Sequence, residues 1–147
     1  MLQEDKMKAT GKLTIEIKDK NGNLKDQREL TNLVVDDGLE FIASRMKDAS
    51  SSVMSHMAIG TGSSAAAASD TTLGTEAARV ALTSTTVTAN AVAYVASFAA
   101  GTGTGAITEA GILNGASGGT LLCRTVFSVV NKGASDSMTI TWTVTIS

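Results

Sequence analysis

The sequence predicts a mainly β fold, an antiparallel sandwich or jelly-roll-like domain with a hairpin at its N-terminus and one short α-helix, and three observations carry that expectation. The chain ends on a strict alternation in which Met138, Ile140, Trp142, Val144 and Ile146 share one face and Ser137, Thr139, Thr141, Thr143 and Thr145 the other, the period of a half-buried strand. Beyond Ala49 only seven side chains are charged, Asp70, Glu76, Arg79, Glu109, Arg124, Lys132 and Asp136, and the rest is Gly, Ala, Thr, Ser and Val with glycine-marked turns. One segment alone changes to a helical period.

The elements follow in order. Leu13, Ile15 and Ile17 alternate with Thr14, Glu16 and Lys18, and Asp19-Lys20-Asn21-Gly22-Asn23 then supplies an Asn-Gly pair suited to a tight hairpin turn. The chain returns through Leu24 toward Leu33-Val34-Val35. Residues 36–48 read as the helix, because Leu39, Ile42, Ala43 and Met46 recur at i, i+3, i+4 and i+7 and Asp36 and Asp37 complement its amino end. That stripe is expected to lie on the sheet, with Glu40, Ser44 and Lys47 outward. Strands are expected at Ser55–Ile59, Ala78–Leu82, Val87–Phe98, Ala106–Leu113, Thr120–Val130 and Ser137–Ile146. Ser63–Ser69 reads as a small-residue loop. With no proline in the chain, Gly60-Thr61-Gly62 and Gly101-Thr102-Gly103-Thr104-Gly105 are left to do the turning. Trp142 and Phe127 are expected in the core.

At 147 residues the chain has the length of one domain, 1–147, in which a charged segment 1–35 and the helix precede the β-body 49–147. Nineteen of the twenty-six charged residues precede Ala49. The net charge of −2 and the lack of a basic stripe argue against a nucleic-acid partner. Met1–Thr10 alternates charges where a signal peptide needs an apolar stretch, and no run has the length of a membrane span, so neither secretion nor a membrane partner is expected. Cys123 is alone, which excludes an intrachain disulfide, and with His56 as the single histidine it cannot build a zinc site. Aromatic residues make up only 3% of the chain, so its core gains little area per residue, and self-association is a natural compensation.

Candidate chemistry is sparse. Gly60-Thr61-Gly62-Ser63-Ser64-Ala65 matches a dinucleotide fingerprint, but the helix, parallel strand and acid that such a unit needs do not follow, so no cofactor is expected. His56 is the one possible imidazole base and no nucleophile elbow is present. Glu76 and Glu109 have the chemistry of a glycosidase pair without the aromatic cleft. They are better read with Arg79 and Arg124 as an ion network fixing strand register or an interface, because charges in a nearly uncharged body must be neutralised or kept wet. Contacts with partners are expected at the charged segment from Lys6 through Asn21 and Gly22, and at the loops carrying Gly60, Thr61, Gly62, Gly101, Gly103 and Gly105.

Asn32-Leu33-Val34-Val35-Asp36-Asp37-Gly38-Leu39, Met57-Ala58-Ile59-Gly60-Thr61-Gly62, Leu73-Gly74-Thr75-Glu76-Ala77-Ala78-Arg79, Ile107-Thr108-Glu109-Ala110-Gly111-Ile112-Leu113, Gly119-Thr120-Leu121-Leu122-Cys123-Arg124, Lys132 and the final alternating strand occur in this order. The set resembles the collar domain at the start of tailed-bacteriophage tail-fibre proteins and small free-standing phage virion proteins. The resemblance implies a non-enzymatic structural protein of the virion, assembled in the host cytoplasm. Its implied partners are copies of itself, as dimer or trimer, and another virion protein. With no fibre shaft after Ser147, a head decoration or cement role is expected first, and a tail, collar or baseplate role anchoring fibres second.

Overall fold

Among the described residues nine antiparallel strands form one curled sheet whose two end strands are neighbours in the chain. The structure is a computed structural model that describes residues 7–48 and 50–147. The reading of the N-terminus and the bet on Lys6 therefore lie partly outside the described residues, as does Ala49. The strands are β1 (Ala9–Lys18), β2 (Leu24–Val34), β3 (His56–Gly60), β4 (Glu76–Ala81), β5 (Ser84–Thr88), β6 (Ala91–Phe98), β7 (Gly105–Leu113), β8 (Leu121–Lys132) and β9 (Ser137–Ile146), with α1 (Asp36–Lys47) between β2 and β3. Their order across the sheet is β4-β3-β7-β8-β2-β1-β9-β6-β5.

Two corners let the sheet turn back on itself. At the first, β2 pairs with β1 along most of its length, but only Leu33 and Val34 pair with Arg124 and Cys123 of β8. Side chains bridge the parted stretch: Thr125 Oγ1 donates to Thr31 O at 2.9 Å, and Arg28 reaches the carbonyls of Ser128 and Val129. At the second corner the chain passes from β4 to β5 through Leu82 and Thr83, whose amides donate to Ser55 O at 2.9 Å and Val95 O at 2.7 Å. One continuous stretch thus joins β3 on one side to β6 on the other. The mainly β expectation holds, as one curled sheet with an N-terminal hairpin and a single helix among the described residues.

The inward faces supply the core. Leu13, Ile15 and Ile17 of β1 lie against Met138, Ile140 and Trp142 of β9, and Phe98, Met57, Ile107 and Phe127 close the interior from the other strands. Both Trp142 and Phe127 are buried. The closing strand Ser137–Ile146 has the bounds read from its alternation, and β3, β4, β7 and β8 depart from the expected bounds by no more than two residues at either end.

Two elements differ from expectation. The stretch Val87–Phe98 is not one strand but the hairpin β5–β6, turning at Ala89-Asn90 with Ala89 at φ 52°. No glycine marks this turn; it is held from outside, since Asn90 Nδ2 donates to Ile146 O at 2.6 Å and the Ile146 amide returns a bond to Asn90 O at 2.9 Å. In α1 the inward side is Gly38, Phe41 and Ile42, so the stripe begins one residue earlier than expected, and Arg45 is exposed. Gly38 is buried and Phe41 and Ile42 are half-buried, whereas Leu39, Ala43 and Met46 are exposed and Ser44, expected outward, is half-buried. The displacement follows from contact distance: a Cβ at Gly38 would collide with the Leu122 carbonyl oxygen, so the helix can approach β8 this closely only on its glycine.

That contact reverses a usual sign. Alanine for glycine inside a helix normally stabilises, but Gly38→Ala should cost about 1–3 kcal/mol in urea unfolding because the backbone of β8 cannot yield. Met46→Ala should change stability by less than about 0.5 kcal/mol.

Candidate functional site

The sheet places Glu109 in the middle of β7, opposite Gly60 of β3 and one residue past an irregularity in the β7–β8 register. Arg124 of β8 pairs with Gly111, so its side chain lies diagonally beside Glu109 on the same face. Glu109 is fully buried and Arg124 nearly so. A carboxylate in that position must have its lone pairs filled, and they are. Oε2 accepts the amides of Gly62 at 2.6 Å and Thr75 at 2.7 Å; Oε1 accepts the Gly74 amide at 2.7 Å and the Arg124 Nε and Nη2 donors at 3.1 and 3.0 Å.

The guanidinium extends the network. Its Nη1 donates to Asp70 Oδ2 at 2.8 Å and its Nη2 to Ser64 O at 3.1 Å, while Asp70 Oδ2 also accepts the Ala67 amide at 2.9 Å. Thr108 Oγ1 donates to Gly62 O at 2.7 Å, and the Thr61 amide to Thr75 O at 2.9 Å. The bonds from Gly62, Ser64, Asp70, Gly74 and Thr75 tie the loop between β3 and β4 onto β7 and β8, while the Ala67–Asp70 and Thr61–Thr75 bonds close the loop on itself. The glycines of the dinucleotide-like run are explained by the same approach. A Cβ on Gly60 would strike Thr75 O, one on Gly62 would strike Glu109 Oε2, and one on Gly74 would lie 3.3 Å from Arg124 Nη2. Gly60 and Gly62 are thus needed for close packing on a carboxylate and not for turning.

Electrostatics agree with the geometry. Burial by itself pushes the Glu109 carboxyl upward, but the amides of Thr75, Gly74 and Gly62 and the Arg124 guanidinium outweigh it and hold the pKa below the ordinary carboxylate value. For Asp70 the Ala67 amide leads, and Arg124 adds to it, against a smaller opposing effect of burial.

The expected four-residue network resolves into two pairs with no bond between them among the described residues. Glu76 and Arg79 form a separate bidentate pair at 2.7 and 3.1 Å on β4. Arg79 Nη1 also donates to the carbonyls of Gly115 at 2.9 Å and Gly118 at 2.8 Å, closing the β7–β8 turn. Strand alternation does not separate them, because Arg79, Ala58, Gly111 and Arg124 lie in one cross-strand row and so share a face. β3 and β7 stand between Arg79 and Arg124, and Arg79 is drawn to the carbonyls of the β7–β8 turn while the Glu109 pair lies under the β3–β4 loop.

Sequence reasoning missed Asp70 as the third member of the buried network and Lys132 as a buried cation. The Lys132 ammonium donates to Ala99 O and to Asp136 O, both at 2.8 Å, so one lysine pins the loop before β7 to the turn before β9. Burial lowers its pKa, opposed by the Asp136 charge. Asp136 is in turn paired with Lys25 at 2.8 Å and accepts the Gly133 amide. The available signal was that Lys132 and Asp136 flank a glycine turn in a body otherwise short of charge.

Of the expected contact loops, Asn21 and Gly22 lie at an exposed turn closed by Asp19, whose Oδ1 accepts the amides of Asn21 and Asn23, each at 2.9 Å. Gly22 alone takes the positive φ there. Thr61 is exposed while Gly60 and Gly62 are buried. Gly101, Gly103 and Gly105 all have positive φ, and a Cβ on Gly103 would press on Ile59 at 2.6 Å. His56 Nδ1 lies 2.8 Å from Ser55 Oγ, and Cys123 is fully buried, its pKa raised by burial. Among the described residues no three His, Cys, Asp or Glu gather as metal ligands, and no helix is long and apolar enough to cross a membrane. No protein-family model, curated protein or solved structure matches the chain.

Removing the charge at the centre of this network should be costly. Glu109→Gln leaves Arg124 buried without its main counter-charge, and chemical denaturation should show a loss of about 3–5 kcal/mol. The pH dependence has a defined sign. A carboxyl whose folded pKa is depressed contributes stability above its unfolded pKa and loses it as pH falls through the folded value. The wild-type protein should therefore lose stability on acidification below the ordinary carboxylate range, and Glu109→Gln should show a shallower acid limb.

Proposed function

We propose that this chain is a non-enzymatic structural protein of a tailed-phage virion, a head decoration protein that assembles as a repeated unit on the particle. One observation carries the reading. The residues on which the resemblance to phage collar domains rests, Gly60, Gly62, Gly74, Thr75, Glu109 and Arg124, spend their bonding capacity on one another. A shared motif of this kind specifies a scaffold, since a carboxylate with five donors already on it is a poor acid, base or nucleophile. Assembly on a larger particle suits a core poor in aromatic side chains, because binding only the folded state adds stability by mass action.

The resemblance to fibre collar domains favours a second reading, a tail, collar or baseplate protein that anchors fibres. Immunogold labelling of intact particles with an antibody against this chain separates the two. Gold distributed over the head is the expected result, together with lower heat tolerance of heads that lack the protein. Gold confined to the neck or tail end overturns the head role in favour of fibre anchoring, and particles without label overturn both.

A further inference from the structure

β5 is one of the two end strands of the sheet, and all five of its residues, Ser84-Thr85-Thr86-Val87-Thr88, are exposed. Among the described residues its one neighbouring strand is β6. An end strand offers a row of unpaired backbone groups, and proteins that stay monomeric guard such rows with charge, proline or a bulge. The other open stretches of this sheet are guarded: the other end strand, β4, carries Glu76 and Arg79, and β2 carries Lys25, Asp26, Arg28 and Glu29, with Arg28 covering two carbonyls of β8. β5 has no such guard. It lies within Val80–Thr108, a run of twenty-nine residues without one charged side chain in a chain where charged groups make up 18%.

The surface beside β5 is apolar as well. Thr85 and Val87 line a mostly apolar groove of about 360 Å³ together with Val92, Tyr94, Phe41 and Arg45, whose guanidinium lies 5.7 Å over the Phe41 ring, and Val87 is 69% exposed. The strand is also self-complementary. In an antiparallel two-fold pairing centred on Thr86, Ser84 meets Thr88, Thr85 meets Val87, and Thr86 meets itself. Each face then matches in kind, with Thr85 and Val87 of both copies on the groove side and hydroxyls alone on the other. No residue of β5 itself brings a charge to the pairing. An isologous interface requires such self-matching, which a strand built for a different partner has no reason to possess.

We infer that β5 is a homodimerisation edge, at which a second copy of this chain adds its own β5 antiparallel about a two-fold axis through Thr86, continuing the sheet and setting the two apolar grooves against each other. The inference deepens the reading of the chain as a self-assembling structural unit, and rests on it for a biological role. The association itself is a property of the purified protein.

The test is sedimentation of the full chain with charge variants at the axis. Thr86 is exposed, so Thr86→Lys and Thr86→Glu leave the monomer's contacts in place, and thermal melting followed by circular dichroism verifies that they fold. Wild type should sediment as a dimer. Each variant alone should fall to half that mass, because the axis sets two like charges directly opposite one another. An equimolar mixture of the two should recover the dimer, which a mere folding defect would not produce. A monomeric wild type, a dimer unchanged by Thr86→Lys, or a mixture that stays monomeric would overturn the inference. A dimer found alongside unlabelled particles would instead remove the virion reading and leave the interface standing.

Discussion

The buried Glu109 carboxylate is the group on which the ordering of the β3–β4 loop depends. That connection runs from Thr61 to Thr75, is built largely of Ala, Ser, Thr and Gly, and has little apolar surface to bury. Such a segment cannot offset its own conformational entropy by hydrophobic contact. What orders it is a set of amide and guanidinium donors converging on two oxygen atoms, a charge-assisted arrangement stronger than bonds between neutral groups. The glycines at 60, 62 and 74 let the loop backbone come close enough to donate.

The same economy runs through the β-body. Each of the seven charges beyond Ala49 is put to internal use: Glu109, Arg124 and Asp70 hold one loop, Glu76 and Arg79 close the β7–β8 turn, and Lys132 and Asp136 join two further turns. Charged groups here act as fasteners for segments too small and polar to pack by themselves. The cost of desolvating them is met by filling nearly every donor and acceptor position they have. That arrangement leaves the β5 end of the sheet free of charge, and the proposed self-pairing is the counterpart of that distribution.

Much of the fold was legible because period-2 alternation is a local signal. The pattern Met138 to Ile146 specifies a strand whatever its neighbours do, and Asn21-Gly22 marks its turn by the conformational freedom of Gly22. The hairpin at Ala89-Asn90 was not legible, because the bonds that hold it come from Ile146, more than fifty residues away in sequence. The face of α1 was misplaced by one residue for a similar reason. Hydrophobicity alone points to Leu39 and Met46, whereas the docking geometry is set by the space that Gly38 leaves beneath the Leu122 carbonyl. Arg124 and Glu109 could be suspected as partners from their isolation in an uncharged body, but their separation from Arg79 and Glu76 depends on the order of the strands in the sheet and on the turn carbonyls that hold Arg79, neither of which is a local signal.

If the carboxylate orders the loop, the amides that donate to it must be shielded from solvent. Native-state hydrogen exchange resolves this residue by residue. The Gly62, Gly74 and Thr75 amides should exchange as slowly as amides within β7, opening only with the sheet itself. Rapid exchange at these three positions, at rates like those of the exposed residues Ser63 and Ser64 between them, would contradict the account.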